Sequence, residues 1–255
     1  MRNPLRIEAH AKVNLTLEVL GVRSDGYHDL RSVVLPIPLH DDLVIEASEE
    51  LSAGFEDEGL PESTRRALAA LPPEKNLVWK AARALQLATG CTRGARITIT
   101  KRIPAGAGMG GGSSDAAAAL NGLNEFWGLG LSKSRLVELA AEVGSDVPAL
   151  TLGGPVLMEG RGERVKPLAD SELADFPIPD LSRLVVRTPP VFVSTPAVFR
   201  EFRESDRGKC ANDLQPAACR LHPEIAQALR ELEDEGCENV MMSGSGATVF
   251  GFLRC

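Results

Sequence analysis

The sequence predicts an α+β fold, two layers of strand and helix organised as two domains, residues 1–160 and 161–255. Three observations carry that prediction. Arg6 to Val19 alternates apolar and polar residues without a miss, the period-two signature of a long strand with one covered face. Ala95 to Lys101 also alternates, then runs into five glycines within Gly106 to Gly112 and an alanine-rich helix. A second set of strand and helix segments begins at Arg183 to Arg187 and closes with Ala247 to Phe252.

In the first strand, Ile7, Ala9, Ala11, Val13, Leu15, Leu17 and Val19 share one face, and Lys12 and Asn14 lie on the other. On spacing alone that second face is solvated. Ser24-Asp25-Gly26 is turn chemistry, with strands expected from Tyr27 to Leu35 and from Asp42 to Glu46. The acidic stretch Glu46 to Pro61 reads as loop. Helices are expected from Ser63 to Leu71 and from Asn76 to Thr89, the second with Asn76 as N-cap and Gly90 past its end. Leu120 to Trp127 is helical, Ser132 to Val143 is a helix closed by Gly144, and Ser145-Asp146-Val147-Pro148 puts a carboxylate at a helix start. Asp170 to Asp180, acidic and proline-bearing, reads as a connection. Thr195-Pro196 combines cap and N1 proline. Pro223 to Glu235 is a further helix, and Val240 to Met242 and Ala247 to Phe252 are strands around Ser243-Gly244-Ser245-Gly246.

The segment Pro104-Ala105-Gly106-Ala107-Gly108-Met109-Gly110-Gly111-Gly112-Ser113-Ser114-Asp115 is the most informative of the chain. Glycines free the backbone to take positive φ, so successive N–H groups can curl around an anion. Ser113 or Ser114 can cap the helix that follows, whose dipole also favours negative charge. The segment therefore reads as a nucleotide-phosphate site. Gly106-x-Gly108-x-x-Gly111 satisfies a dinucleotide fingerprint, but its acidic partner belongs at the end of a following strand, and the nearest residue, Glu125, falls in a helical stretch. A Walker A loop would need lysine where Gly112 stands.

Composition narrows the functions further. The chain has 255 residues, 44% hydrophobic and 25% charged, with a net charge of −7, which argues against a nucleic-acid surface and requires local cations for an anionic substrate. No apolar run reaches membrane length and no signal-peptide core is present, so no membrane partner is expected. The five cysteines include no C-x-x-C pair, which favours a reducing cytoplasm over a disulfide framework. Cys219-x2-His222 suggests zinc only faintly, since no second close pair accompanies it.

The whole pattern Pro-x3-Gly-Met-Gly-Gly-Gly-Ser-Ser-Asp-Ala-Ala resembles the phosphate loop of the GHMP kinases. Ala11-Lys12-Val13-Asn14-Leu15, Arg23-Ser24-Asp25-Gly26-Tyr27-His28, Gly144-Ser145-Asp146-Val147-Pro148 and Ser243-Gly244-Ser245-Gly246-Ala247 extend the resemblance along the chain. It implies an N-terminal ribosomal-S5-like ATP-binding domain and a C-terminal ferredoxin-like domain. It also implies use of ATP and Mg²⁺ to phosphorylate a small-molecule alcohol, and the five motifs together resemble the branch whose acceptor is a diphosphocytidyl alcohol of isoprenoid synthesis. By the same resemblance Lys12 and Asp146 are catalytic, with Asp146 taking the hydroxyl proton and Lys12 beside it. Asn14 orients the acceptor. Lys101 and Pro104 to Asp115 hold ATP, with Asp115 near adenine. Tyr27, His28 and Phe199 take the cytidine, and Thr195 the alcohol end. A monomer or weak homodimer is expected. Met109 where leucine is usual conserves volume. Asp115, where asparagine also occurs, can accept but, when ionised, cannot donate. A nicotinamide oxidoreductase, a non-catalytic ATP sensor, and a homoserine or mevalonate kinase are the rival readings.

Overall fold

The structure, a computed structural model, describes residues 3–56, 72–168 and 180–254. It divides the chain into two units, one drawn from Met1–Ala11, Leu39–Ala105 and Gly110–Gly153, the other from Lys12–Pro38, Gly106–Met109 and Gly154–Cys255. The chain passes between them within its first strand and within the glycine-rich segment.

In the first unit the end of strand β3 (His28–Glu46) pairs antiparallel with β5 (Ala95–Thr100), Leu43 opposite Ile99. Strand β4 (Leu51–Phe55) adds to β5 in parallel. Helices α1 (Leu77–Thr89), α2 (Gly111–Trp127), α3 (Lys133–Val143) and α4 (Val147–Leu152) supply the apolar layer. Leu43, Ile45, Ile97 and Ile99 of the strands pack in one cluster with Val78, Leu85, Leu120, Leu123 and Leu139 of the helices. The caps act as the sequence indicates. Asn76 Oδ1 accepts from the Val78 N–H at 2.9 Å, Ser132 Oγ accepts from Arg135 N–H, and Gly90 closes α1 in the left-handed region.

In the second unit the start of β3 pairs with β2 (Glu18–Val22) and with β6 (Val156–Gly160), which continues to β7 (Arg164–Pro167). A separate antiparallel sheet has the order β8 (Leu184–Arg187), β10 (Val249–Leu253), β9 (Cys237–Met242). Helices α5 (Thr195–Glu201), α6 (Gln215–Leu221) and α7 (Pro223–Asp234) cover it, with Val198, Ala218, Ile225, Leu232 and Val249 in its core.

Several expectations need correction. The fourteen-residue first strand is two, β1 (Leu5–Asn14) and β2. Leu17 N–H between them bonds to Ala211 O, which takes the backbone off the ladder. The strands expected around Tyr27 to Leu35 and Asp42 to Glu46 are one. Pro36 and Pro38 fall between the stretch that meets β6 and the stretch that meets β5, so their missing N–H groups cost neither ladder a bond. β4 lies in the stretch read as loop. Ser194, not Thr195, is the N-cap of α5. The helix expected at Ser63 to Leu71 and most of the Asp170 to Asp180 connection lie outside the described residues. Among the described residues no helix is long and apolar enough to cross a membrane, and Cys91, Cys210, Cys219 and Cys237 are free thiols.

Candidate phosphate and acceptor sites

Lys12 and Asn14 do not face solvent. At the end of β1 their side chains are only 3% and 1% exposed. The Lys12 ammonium donates to Asn14 Oδ1 at 2.7 Å and to the Gly108 carbonyl of the glycine segment at 2.9 Å. Ser243 Oγ donates to that same Gly108 carbonyl at 2.9 Å. Asn14 Nδ2 donates to Ser32 Oγ at 2.7 Å, whose hydroxyl in turn bonds to Thr16 O. A buried ammonium needs such partners, because burial without them costs several kcal/mol. Alternation alone does not reveal what covers a strand's second face, so the solvated reading fails here.

The glycine segment is shaped by that same unit. Gly106 and Gly108 have φ of 67° and 79°, and a Cβ on Gly108 would collide with the Ser243 carbonyl. Lys12 N–H donates to Met109 O, and Thr248 N–H to Ala107 O, both at 3.1 Å. Ser243 and Asn212 were missed by sequence reasoning. Asn212 is fully buried and its amide donates to both Met242 O and Gly244 O at 2.8 Å, which fixes the turn that carries Ser243. The Ser-Gly-Ser-Gly run was a legible signal for the first. A single asparagine in a polar stretch gave none for the second.

In the other unit Gly110, at φ 69°, is the N-cap of α2 and provides no side-chain cap, so Ser113 and Ser114 lie inside the first turn and neither caps it. The first N–H groups of a helix have no intrahelical acceptor, and the Gly110 N-cap has no side chain to take one. That is a donor set suited to phosphate. Ser114 Oγ is committed to the His10 carbonyl at 2.5 Å, and its N–H to Gly110 O. Glu125 lies within α2, so the glycine segment lacks the acidic strand end that a dinucleotide fingerprint requires.

Lys101 is not a solvated strand-end charge. Its side chain is 7% exposed, paired with Asp115 at 2.7 Å and with Asp41. Asp41, another residue missed by sequence reasoning, is fully buried and also accepts from the Ile103 N–H at 2.8 Å, so it organises the entry to the glycine segment. Burial pushes the Asp115 carboxyl up to about 7 against the pull of Lys101. Its Oδ1 is buried with no hydrogen-bond partner. A carboxyl held near neutrality is protonated for part of the time and can then donate, which removes the objection raised by its charge.

The folded chain therefore holds the Asp115 proton more tightly than the unfolded chain does. The stability this confers is full below about pH 4 and is lost as pH climbs to about 7. In Asp115→Asn nothing titrates at that position, so the variant should gain on the wild type across this window. Urea midpoints measured for both at several pH values check it, and a difference that stays constant refutes it.

Tyr27, His28, Thr195 and Phe199 all belong to the second unit. The His28 ring stacks on Phe199 at a centroid distance of 4.8 Å and 25°. Tyr27 is 55% exposed, with the Arg161 guanidinium 3.9 Å over its ring. Thr195 Oγ1 bonds to Ser245 Oγ at 2.7 Å. Asp146 is the first residue before α4, at φ −87° and ψ −13°, and its side chain makes no capping hydrogen bond. A hollow of about 620 Å³ by Ser48, Arg93 and Trp127 contains none of the predicted residues.

Comparison with known proteins agrees with this geometry. Residues 76–154 match the GHMP kinases N terminal domain and residues 195–254 the GHMP kinases C terminal domain. A relative from Symbiobacterium thermophilum, named 4-diphosphocytidyl-2-C-methyl-D-erythritol kinase, is 42% identical over 98% of this chain and 90% of its own length. A crystal structure of 4-(cytidine 5'-diphospho)-2C-methyl-D-erythritol kinase superposes with a TM-score of 0.76 at 34% identity, covering 97% of this chain and 90% of that one. A homoserine kinase from Cytophaga hutchinsonii shares the fold, with a TM-score of 0.66 at 19% identity over 98% of this chain and 85% of that one.

Proposed function

The chain belongs to the GHMP kinase family, and from that premise we infer that it transfers the γ-phosphoryl group of ATP to the 2-hydroxyl of 4-diphosphocytidyl-2-C-methyl-D-erythritol, giving the 2-phosphate and ADP. One observation carries the reading. The glycine segment has no lysine of its own, yet a buried ammonium from β1 rests on its Gly108 carbonyl. Phosphoryl transfer is catalysed by positioning and charge stabilisation, and a cation fixed on the phosphate loop supplies both.

The residues take these roles. Main-chain N–H groups from Gly106 to Ser113 hold the phosphates, and Ser113 offers its hydroxyl to a phosphate oxygen or to the ion. Three glycines at positive φ and an uncapped helix start support this assignment. Mg²⁺ carried with the nucleotide neutralises phosphate charge. Lys12 stabilises the transferring group, Asn14 orients the acceptor, and Asp146 receives the hydroxyl proton. Lys101 and Asp115 lie toward the adenosine. The ATP domain is assigned to 1–160 and the acceptor domain to 161–255. Asn14, Tyr27 and His28 reach the acceptor from the unit that also contains residues 154–255. The lack of a C-x-x-C pair supports a reducing, cytoplasmic setting, and the proposed state is a monomer or weak homodimer.

A coupled ADP-release assay across the diphosphocytidyl alcohol, homoserine and mevalonate tests the assignment. Turnover should be confined to the first. Faster turnover of either other alcohol, or ATP binding without ADP from any of them, overturns it. Within the same assay, Tyr27→Ala should raise KM for the diphosphocytidyl alcohol ~5–150-fold, the weight of ~1–3 kcal/mol for one lost stacking contact. The KM for ATP should hold. Weakened ATP with an unchanged acceptor would place Tyr27 at the nucleotide instead.

A further inference from the structure

We propose that Glu8, His10 and His40 form a binding site for a divalent first-row transition ion, with zinc as its probe, on the surface of the first unit. The site does not depend on the kinase reading. Glu8 and His10 are two apart on β1 and so share a face, and β1 pairs with β3, which carries His40. The chain has four histidines, and two of them meet here.

The geometry is convergent. One ligand atom from each of the three residues lies within 4.8 Å of the others. Both imidazoles turn Nε2 toward the Glu8 carboxylate, His10 at 3.2 Å from one oxygen and His40 at 3.8 Å from the other. The rings stand edge to face, 5.3 Å apart at 63°, so neither blocks the other's nitrogen. Zinc bonds of ~2.0–2.2 Å in a tetrahedron put ligand atoms roughly 3.3–3.5 Å apart, a small contraction for a carboxylate on a flexible stem. Side chains 43%, 58% and 28% exposed for His10, Glu8 and His40 let an ion enter without unfolding.

Neighbouring charges set the balance. Asp42 Oδ1 is 3.5 Å from His40 Nε2, while Arg102 holds the other Asp42 oxygen at 2.5 Å and reaches the His40 carbonyl at 3.4 Å. With both imidazoles neutral, Glu8 and Asp42 outweigh Arg102 among the described residues that these contacts name. Two imidazoles and a carboxylate suit Zn²⁺, Co²⁺, Ni²⁺ or Cu²⁺, whereas Mg²⁺ prefers oxygen ligands alone.

Zinc titrated into the full chain against a chromogenic chelator, with cobalt absorption read in parallel, tests the site. One ion per chain is expected, with cobalt d–d bands and no thiolate charge-transfer band. Loss of a ligand should exceed the ~10–100-fold that loss of an outer-shell partner costs, so His10→Phe and His40→Phe should each weaken zinc by more than tenfold, and Glu8→Gln should weaken it as well. ADP release and circular dichroism should be unchanged in all three. Imidazole resonances of His10 and His40 in the unmodified protein should shift with one equivalent of zinc, which needs no variant to fold. Undiminished affinity in both histidine variants, a thiolate band, or unshifted resonances would show these side chains to be an ion pair only.

Discussion

Asp146→Asn should lower kcat by ~10²-fold or more, the weight of a lost general base, while KM for ATP and for the acceptor change little. The substitution keeps the shape of the side chain and removes its capacity to take a proton. Asp146 stands at the head of α4, where its side chain makes no capping hydrogen bond. Circular dichroism should still show a folded chain while turnover collapses. Single-turnover measurement separates the chemical step from product release. A variant that retains a tenth of the wild-type rate leaves Asp146 without this role.

Lys12→Met should lower kcat/KM by ~10²–10³-fold, the range seen when one donor to a developing oxyanion is removed. It should also cost stability. Gly108 O keeps the Ser243 hydroxyl, but Asn14 Oδ1 retains only the long 3.4 Å approach of that same hydroxyl. One buried acceptor left nearly bare costs ~1–3 kcal/mol. Steady-state kinetics beside urea unfolding reads both effects. Full activity in a destabilised variant would make the ammonium a structural group.

Much of the fold was legible where the signal is local. Asn76 and Ser132 mark helix starts through their side-chain caps and Gly90 an end through its left-handed backbone, and the structure places helix ends at these three and at Gly144. Non-local pairing was not legible in the same way. β4 forms in an acidic stretch because β5 offers it a parallel edge, and no residue in Leu51 to Phe55 announces that partner. β3 runs on through two prolines, which fall outside its ladders with β5 and β6. The glycine segment and Lys12 were legible as types. Their burial, and the parts played by Ser243, Asn212 and Asp41, depend on chain segments tens to hundreds of residues away.

Five glycines suggest a loose loop, yet consecutive carbonyls at Ala107, Gly108 and Met109 are each held by a donor from elsewhere in the chain. Their glycine content gives this stretch its curvature, and the surrounding bonds remove its freedom. The ordering entropy is settled when the protein folds and is not charged again when nucleotide arrives. Local opening there requires the Lys12 and Thr248 segments to let go together, so the two amides that donate into this stretch, Lys12 N–H and Thr248 N–H, should exchange with solvent at the pace of the surrounding core rather than of a surface loop.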